Sequence, residues 1–316
     1  EHMADLRPHL DEPHDVVRLP MGAASSARYD DTIEPDDVVV SLRFSRPGAQ
    51  APPFRLLQVP GAGLDGIELD ALRPSTALAN VHEHEIPISE FVLASLLEWE
   101  IRAGRMRESF TPEAWPELYR RRTPHGEIHG KTMGIVGYGR IGRAIAARAS
   151  AFGVRTVAVD NVATGDNAAA VVSTAQLPGV LAGADYLVIA CPLTSETTGL
   201  IDRAALHDMP RHAVLVNVSR ARIVDQDALY DALRDGEIAG AILDVWYHYP
   251  RRADDQVAPA SRPFWELPNA WCTPHSCAWT HELAARRYAF IAENINRLAT
   301  GRPLLNLVRA GIPPGA

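Results

Sequence analysis

Residues 134–149, GIVGYGRIGRAIAARA, set Gly137, Gly139 and Gly142 in the order G-x-G-x-x-G, with an apolar run before them and a helical pattern after. Glycine at these positions lets the backbone turn tightly and approach an anion closely. The helix start that follows offers unpaired N–H groups and the positive end of a dipole to a pyrophosphate. Asp160 closes the next apolar run, 18 residues past Gly142. That is near the roughly 20 at which a carboxylate bonds the adenosine ribose hydroxyls of a dinucleotide. No Arg or Lys follows in NVATGDN to receive a 2′-phosphate. These residues favour NAD(H) over NADP(H), against the competing reading of a bare strand–helix turn.

Such a loop needs a parallel sheet beneath it. Short apolar runs alternate with helical patterns along the chain, as α/β layers do. HDVVRL, DDVVVSLRF, FRLLQV and TALANV read as strands within the first 85 residues, and ISEFVLASLLEWEIRA as a long helix. A second set of strands, TMGIVGYG, TVAVD, YLVIAC, AVLVNV, GAILDV and AWCTPH, makes a complete doubly wound unit. Between the two sets, 108–129 has weak periodicity and reads as a linker or an arm for subunit contact. HELAARRYAFIAENINRLATG is a closing helix with Gly301 at its end.

Composition excludes other classes. With 316 residues, 47% of them hydrophobic, the chain can bury two domain cores. Thirty-one basic against 39 acidic residues give a net charge of −8, which speaks against a nucleic-acid or anionic membrane surface. Cys191, Cys272 and Cys277 are odd in number and lack metal-type spacing, so neither a disulfide framework nor zinc is expected and the cytoplasm is the expected compartment. No run is long and apolar enough for a membrane span and the start has no signal-peptide pattern. Its first residues, EHM, are compatible with a tag remnant or with a chain that begins earlier.

Several blocks together carry a resemblance. GKTMGIVGYGRIGRAIA, ADYLVIACPLTSETTGLI, AVLVNVSRARIVDQDALYDALRDGEIAGAILDVW and PNAWCTPHSCAWTHE follow one another as the motifs of the D-isomer-specific 2-hydroxyacid dehydrogenases do, and LLQVPGAGLDGIEL also matches. The sequence resembles that family from about Leu56 to its end. The resemblance implies two doubly wound parallel-sheet domains. One is a flavodoxin-like substrate domain, 1–97 with 283–316, and the other a Rossmann NAD domain, 98–282. It implies cofactor contacts from Gly137, Gly139, Arg140, Ile141, Gly142, Asp160, Cys191, Pro192, Thr197, Val218 and Asp244. Asp244 would bond the nicotinamide carboxamide with the Val218 carbonyl. Arg220 would grip the substrate's carboxylate and carbonyl oxygen, as a planar, permanently charged guanidinium is suited to do. Backbone N–H groups of Ala62 and Gly63 would hold the same carboxylate, and His275 would be the acid/base. A twofold dimer through the NAD domains is also implied.

The sequence departs from the family pattern in DVWYHYP, residues 244–250. The family has Glu directly before that proline, paired with the catalytic histidine; here Tyr249 takes its place. A phenol, with an ordinary pKa near 10, is a neutral partner at neutral pH. His275 is then expected to titrate lower than in its relatives, which favours 2-oxoacid reduction at acidic pH. Two alternatives stay open: Tyr249 joins Trp246, Tyr247 and Trp279 in a substrate pocket or core, or Asp254, Asp255 or Glu266 supplies the acid. Ala221 replaces the usual glycine after the arginine. His82, Glu83, His84 and Glu85 form a short run that reads as solvated rather than as a metal site. Enzyme, formate-like or phosphite-like oxidant, and non-catalytic NAD(H)-binding regulator of corepressor type are the function classes. Retention of Arg220 and His275 favours the first.

Overall fold

The computed structural model describes residues 6–20, 22–250 and 254–312. The chain divides into a smaller unit of 1–84, 249–257 and 279–316 and a larger one of 85–248 and 258–278.

The smaller unit holds a four-stranded sheet. Strands β1 (Val38–Val40), β2 (Leu56–Gln58) and β3 (Ala77–Ala79) are parallel, and the chain's last strand, β11 (Leu307–Arg309), adds antiparallel beside β3. Phe44, Phe54, Leu57, Val59 and Leu78 form its core. The doubly wound arrangement expected here is reduced. Strand order runs β1-β2-β3 without reversal, and among the described residues the β1–β2 connection has no helix and the β2–β3 connection has only a 3-10 turn, Leu69–Ala71. Pro47, Pro52 and Pro53 crowd the first connection and bar a helix there. HDVVRL is not a strand: Val17 is 74% exposed, since three apolar residues between Pro13 and Pro20 bury too little to add an edge. Strand β11 was not anticipated.

In the larger unit β4 (Thr132–Val136), β5 (Arg155–Val159), β6 (Ala170–Val172), β7 (Tyr186–Ile189), β8 (Val214–Asn217), β9 (Gly240–Leu243) and β10 (Ala270–Cys272) form one wholly parallel sheet. Strands β7, β8 and β9 are buried throughout, which is why they read as unbroken apolar runs rather than alternating ones. The order β10-β9-β8-β7-β4-β5-β6 reverses between β4 and β7. Sheets of this kind bind ligands at such a reversal, beyond the strands' carboxyl ends.

Eight α-helices are described: α1 (Glu85–Ile101), α2 (Ala103–Ser109), α3 (Trp115–Arg120), α4 (Arg140–Ala151), α5 (Leu177–Gly183), α6 (Arg203–Asp208), α7 (Gln226–Arg234) and α8 (His281–Ala299). Helix α1 starts a turn before the expected Ile88 and moves the domain boundary from 97 to 84. Its Ile88, Val92, Leu93 and Leu96 share a core with Met133, Ile135, Ile145 and Ala149, so it belongs to the NAD-domain sheet. Glu100 ties it down, accepting from Lys131 Nζ at 2.8 Å and Tyr186 Oη at 2.7 Å. The smaller unit also takes 249–257, and its closing segment begins at 279 rather than 283. Residues 108–129 hold the end of α2 and all of α3, with Phe110, Trp115 and Tyr119 exposed. Among the described residues no helix is long and apolar enough to cross a membrane.

Candidate active site

At the sheet's reversal, Gly137 turns out of β4 with φ +96°. A Cβ there would lie 2.6 Å from the Cα and N of Cys191. On Gly142 a Cβ would meet the Gly137 carbonyl oxygen, which sets the approach of α4 to the strand. Gly139, the N-cap of α4, is different: nothing lies within 4 Å of its missing Cβ. Two glycines therefore permit packing, and the third leaves open space at the start of a twelve-residue helix, where an anion meets free N–H groups.

Asp160 follows β5 on the same edge. Its Oδ2 accepts from Tyr138 N at 2.8 Å, and its Oδ1 from Val162 N at 2.8 Å and Ala163 N at 2.9 Å. Burial opposes its charge, but these three N–H groups and the Arg143 guanidinium outweigh it and hold the carboxyl below the usual range. An ionised carboxylate has about four acceptor sites, so room remains for a ribose hydroxyl. Arg143 is engaged elsewhere, with Asp166 at 2.8 Å and over the Tyr138 ring. Together the open helix start and the ionised Asp160 fit a dinucleotide.

Cys191 is buried, its thiol pushed up to about 11 by burial; it is a wall and not a nucleophile. Its carbonyl accepts from Ser219 Oγ. Thr197 Oγ1 donates to Pro192 O at 2.7 Å and fixes the loop after β7. Ile141 is half-buried at the start of α4, and Arg140 lies 3.7 Å from Glu85.

On the other side of the reversal, β8, β9 and β10 run in register, Asn217 beside Leu243 and Leu243 beside Cys272. Val218, Asp244 and Thr273 therefore leave the sheet at one level, and Arg220 and His275 follow each two residues later. Asn217 was not anticipated. It is buried, donates to the Arg220 carbonyl at 3.1 Å and accepts from Ser219 N at 3.1 Å, fixing the backbone beneath Arg220. Ala221 is buried in a short 3-10 turn of ordinary conformation, so the family's glycine is not required there.

Asp244 is fully buried. Its Oδ1 accepts from Thr273 Oγ1 at 2.5 Å and Ser276 N at 2.8 Å, and its Oδ2 from Cys277 N at 3.0 Å. These bonds clasp the loop on both sides of His275, whose φ of +57° is rare for a residue with a Cβ. Trp246 Nε1 adds a bond to Thr273 O at 2.8 Å. Trp246 and Tyr247 are thus positioning and packing groups, Tyr247 bonding Val224 O at 2.9 Å and stacking on Phe264.

In the smaller unit, Ala62 and Gly63 are exposed past β2, and Asn80 Nδ2 holds the Ala62 carbonyl at 3.0 Å. Their N–H groups make no backbone hydrogen bond among the described residues. Tyr249 belongs to this unit and is half-buried. The residues of the His82–Glu85 run diverge: Glu83 meets Arg286 at 2.6 Å, His84 meets Arg287 at 3.1 Å and Glu85 faces Arg140. Among the described residues no three His, Cys, Asp or Glu side chains gather around a common point.

Comparison with known proteins identifies the family. Residues 93–277 match the D-isomer specific 2-hydroxyacid dehydrogenase, NAD binding domain. The chain is similar to the glyoxylate reductase of Korarchaeum cryptofilum, 39% identical over 194 residues, 60% of this chain and 56% of that one. It is similar to the D-3-phosphoglycerate dehydrogenase of Mycobacterium leprae, 33% identical over 260 residues, 80% of this chain and 46% of that one. The chain thus spans about half the length of these curated relatives. Among solved structures it is similar to the NAD-dependent formate dehydrogenase from Staphylococcus aureus in complex with NAD, with a TM-score of 0.69 and 27% identity over 90% of this chain and 86% of that one. NAD is the cofactor of the larger unit, and the chain belongs to the D-isomer specific 2-hydroxyacid dehydrogenase family.

Proposed function

We propose that this protein is an NAD-dependent oxidoreductase that interconverts a 2-oxoacid and the D-2-hydroxyacid, with Arg220 and His275 at its centre. One observation carries the reading: a single sheet edge bears both the dinucleotide cradle of Gly137–Gly142 and Asp160 and the two loops that present Arg220 and His275. Bound NAD supplies the hydride acceptor, and in its reduced form the donor. Arg220 binds the acid's carboxylate and the oxygen at C2, and the N–H groups of Ala62 and Gly63 hold the same carboxylate. His275 exchanges a proton with the C2 oxygen, giving it in reduction and taking it in oxidation. Asp244 and Thr273 hold the histidine's loop; the acceptor capacity Asp244 retains is for the nicotinamide carboxamide, shared with the Val218 carbonyl. Cys191, Pro192 and Thr197 shape the adenine side, and Arg140 and Ile141 flank the pyrophosphate.

Tyr249 stands where the family has an anion, and a phenol is neutral at neutral pH, so Tyr249 adds no charge that would favour protonated His275. NADH oxidation with a panel of 2-oxoacids from pH 5 to 9 tests this: turnover rises toward acid and disappears in His275→Ala. NADH binding without turnover at any pH would favour the regulatory-binder reading. In Tyr249→Glu the fall of turnover with rising pH moves up by about one pH unit or more; an unmoved profile sinks the relay account.

The exposed Phe110, Trp115, Leu118 and Tyr119 support a homodimer formed through the NAD domain, testable by light scattering of Trp115→Glu. Three free cysteines support a cytoplasmic assignment.

A further inference from the structure

Helix α8 carries two adjacent arginines with different fates. Arg286 reaches out, its Nε 2.6 Å from Glu83 Oε2. Arg287 turns in and is 8% exposed. Its Nη2 lies 3.1 Å from His84 Nε2, and its guanidinium lies 5.8 Å from the centre of the Trp279 ring. Its Nε is buried without a hydrogen-bond partner, and Arg287 pairs with no carboxylate among the described residues. Burial pushes this guanidinium below its ordinary range. Imidazole can accept from Arg287 only through an unprotonated Nε2, so a weak neutral acceptor faces a buried cation.

The setting is specific. Glu83 adopts φ +73°, a conformation costly for a residue with a Cβ, and its ion pair with Arg286 holds it there. The turn delivers His84 to Arg287. It follows directly on β3, at the same carboxyl edge of the smaller sheet as the Ala62–Gly63 loop, to which Asn80 ties it.

We infer that Arg287, with His84 and Trp279 beside it, is a receptor for a second anionic group, carboxylate or phosphate, carried on the side chain of the oxoacid or hydroxyacid. An incoming oxyanion supplies the charged acceptor that the fold withholds, and a charge-assisted bond is about twice as strong as the imidazole bond it replaces or joins. The inference deepens the 2-oxoacid reading and rests on it for the identity of the head group.

Three ligand types separate the possibilities: a 2-oxo monocarboxylic acid, a 2-oxo dicarboxylic acid of the same chain length, and a phosphorylated three-carbon hydroxyacid. Each is titrated by calorimetry into the NADH-loaded full chain and assayed for turnover, in wild type, Arg287→Met and Arg287→Lys. One of the two doubly anionic ligands binds wild type about tenfold to a hundredfold tighter than the monoacid, and which one distinguishes carboxylate from phosphate. That preference is lost in Arg287→Met and retained in part in Arg287→Lys. Equal binding of all three by wild type, or a preference that survives in Arg287→Met, overturns the inference. If monoacids are reduced but the second anion adds nothing, the inference falls and the dehydrogenase reading stands. If no acid turns over at any pH yet the Arg287-dependent preference persists in calorimetry, the converse holds.

Discussion

Arg46 and Arg287 are the two buried arginines among the described residues, both in the smaller unit, and the fold treats them in opposite ways. Arg46 reaches Asp30 through Nε at 3.0 Å and Nη2 at 2.5 Å, the Ala24 and Ser45 carbonyls through Nη1 at 2.7 and 2.8 Å, and lies over the Phe44 ring. Arg287 has one neutral acceptor and a ring. A buried charge with all its partners is a structural part, and breaking it is expensive. One left short of partners costs the folded state and asks for another explanation. Asp244 in the larger unit belongs with Arg46, because three donors meet its buried carboxylate.

The comparison can be broken by substitution. Asp244→Ala leaves the Ser276 and Cys277 N–H groups and the Thr273 hydroxyl without their acceptor and is expected to destabilise the larger unit by about 3 kcal/mol or more. Urea unfolding followed by tryptophan fluorescence measures it, and a loss under about 1 kcal/mol would mean that the clasp is not holding the loop. Arg46→Met is next, at about 3 kcal/mol, somewhat reduced because the Asp30 side chain is 22% exposed and solvent can take over part of its charge. Arg287→Met lies on the other side of the comparison. An apolar side chain of similar length replaces a poorly compensated charge, so the change stays within about 1 kcal/mol of neutral, with stabilisation the favoured sign. Equal losses in Arg46→Met and Arg287→Met would erase the distinction and weaken the receptor assignment with it.

What could be read from sequence follows the same division. The glycine turn, Asp160 and the parallel strands are legible because their signals are local: fixed spacings and unbroken apolar runs around each residue. The clasp of Asp244 on Thr273, Ser276 and Cys277 joins positions about thirty apart, and no local pattern announces it. Asn217 left a weak trace, a polar residue closing the buried run VLVN. Arg287 was legible in principle. Leu283, Arg287, Ile291 and Asn294 are buried along α8 at spacings of four, four and three, so the stripe itself places an arginine inside. The smaller sheet is the least legible, since its three-residue strands give periodicity little to work on and β11 pairs across more than 220 residues.

Asp160 gives the smallest and most graded test, being a carboxylate with three N–H donors, as Asp244 has three donors, but only partly buried. Its folded carboxyl titrates below the ordinary value, near 3.9 in an unfolded chain. A group depressed on folding contributes stability that is full above the unfolded value and is lost as pH falls through the folded one. Wild type should therefore exceed Asp160→Asn in unfolding free energy at pH 6, and the gap should close as pH drops below about 4. Solvent screening keeps the gap modest at a half-exposed site, well under that of Asp244→Ala. Paired urea titrations at pH 6, 5, 4 and 3 read it directly. A gap that stays constant over that range would show that the three N–H groups hold the Asp160 side chain in place without favouring its ionised form. The case for a charged ribose acceptor would then rest on spacing alone.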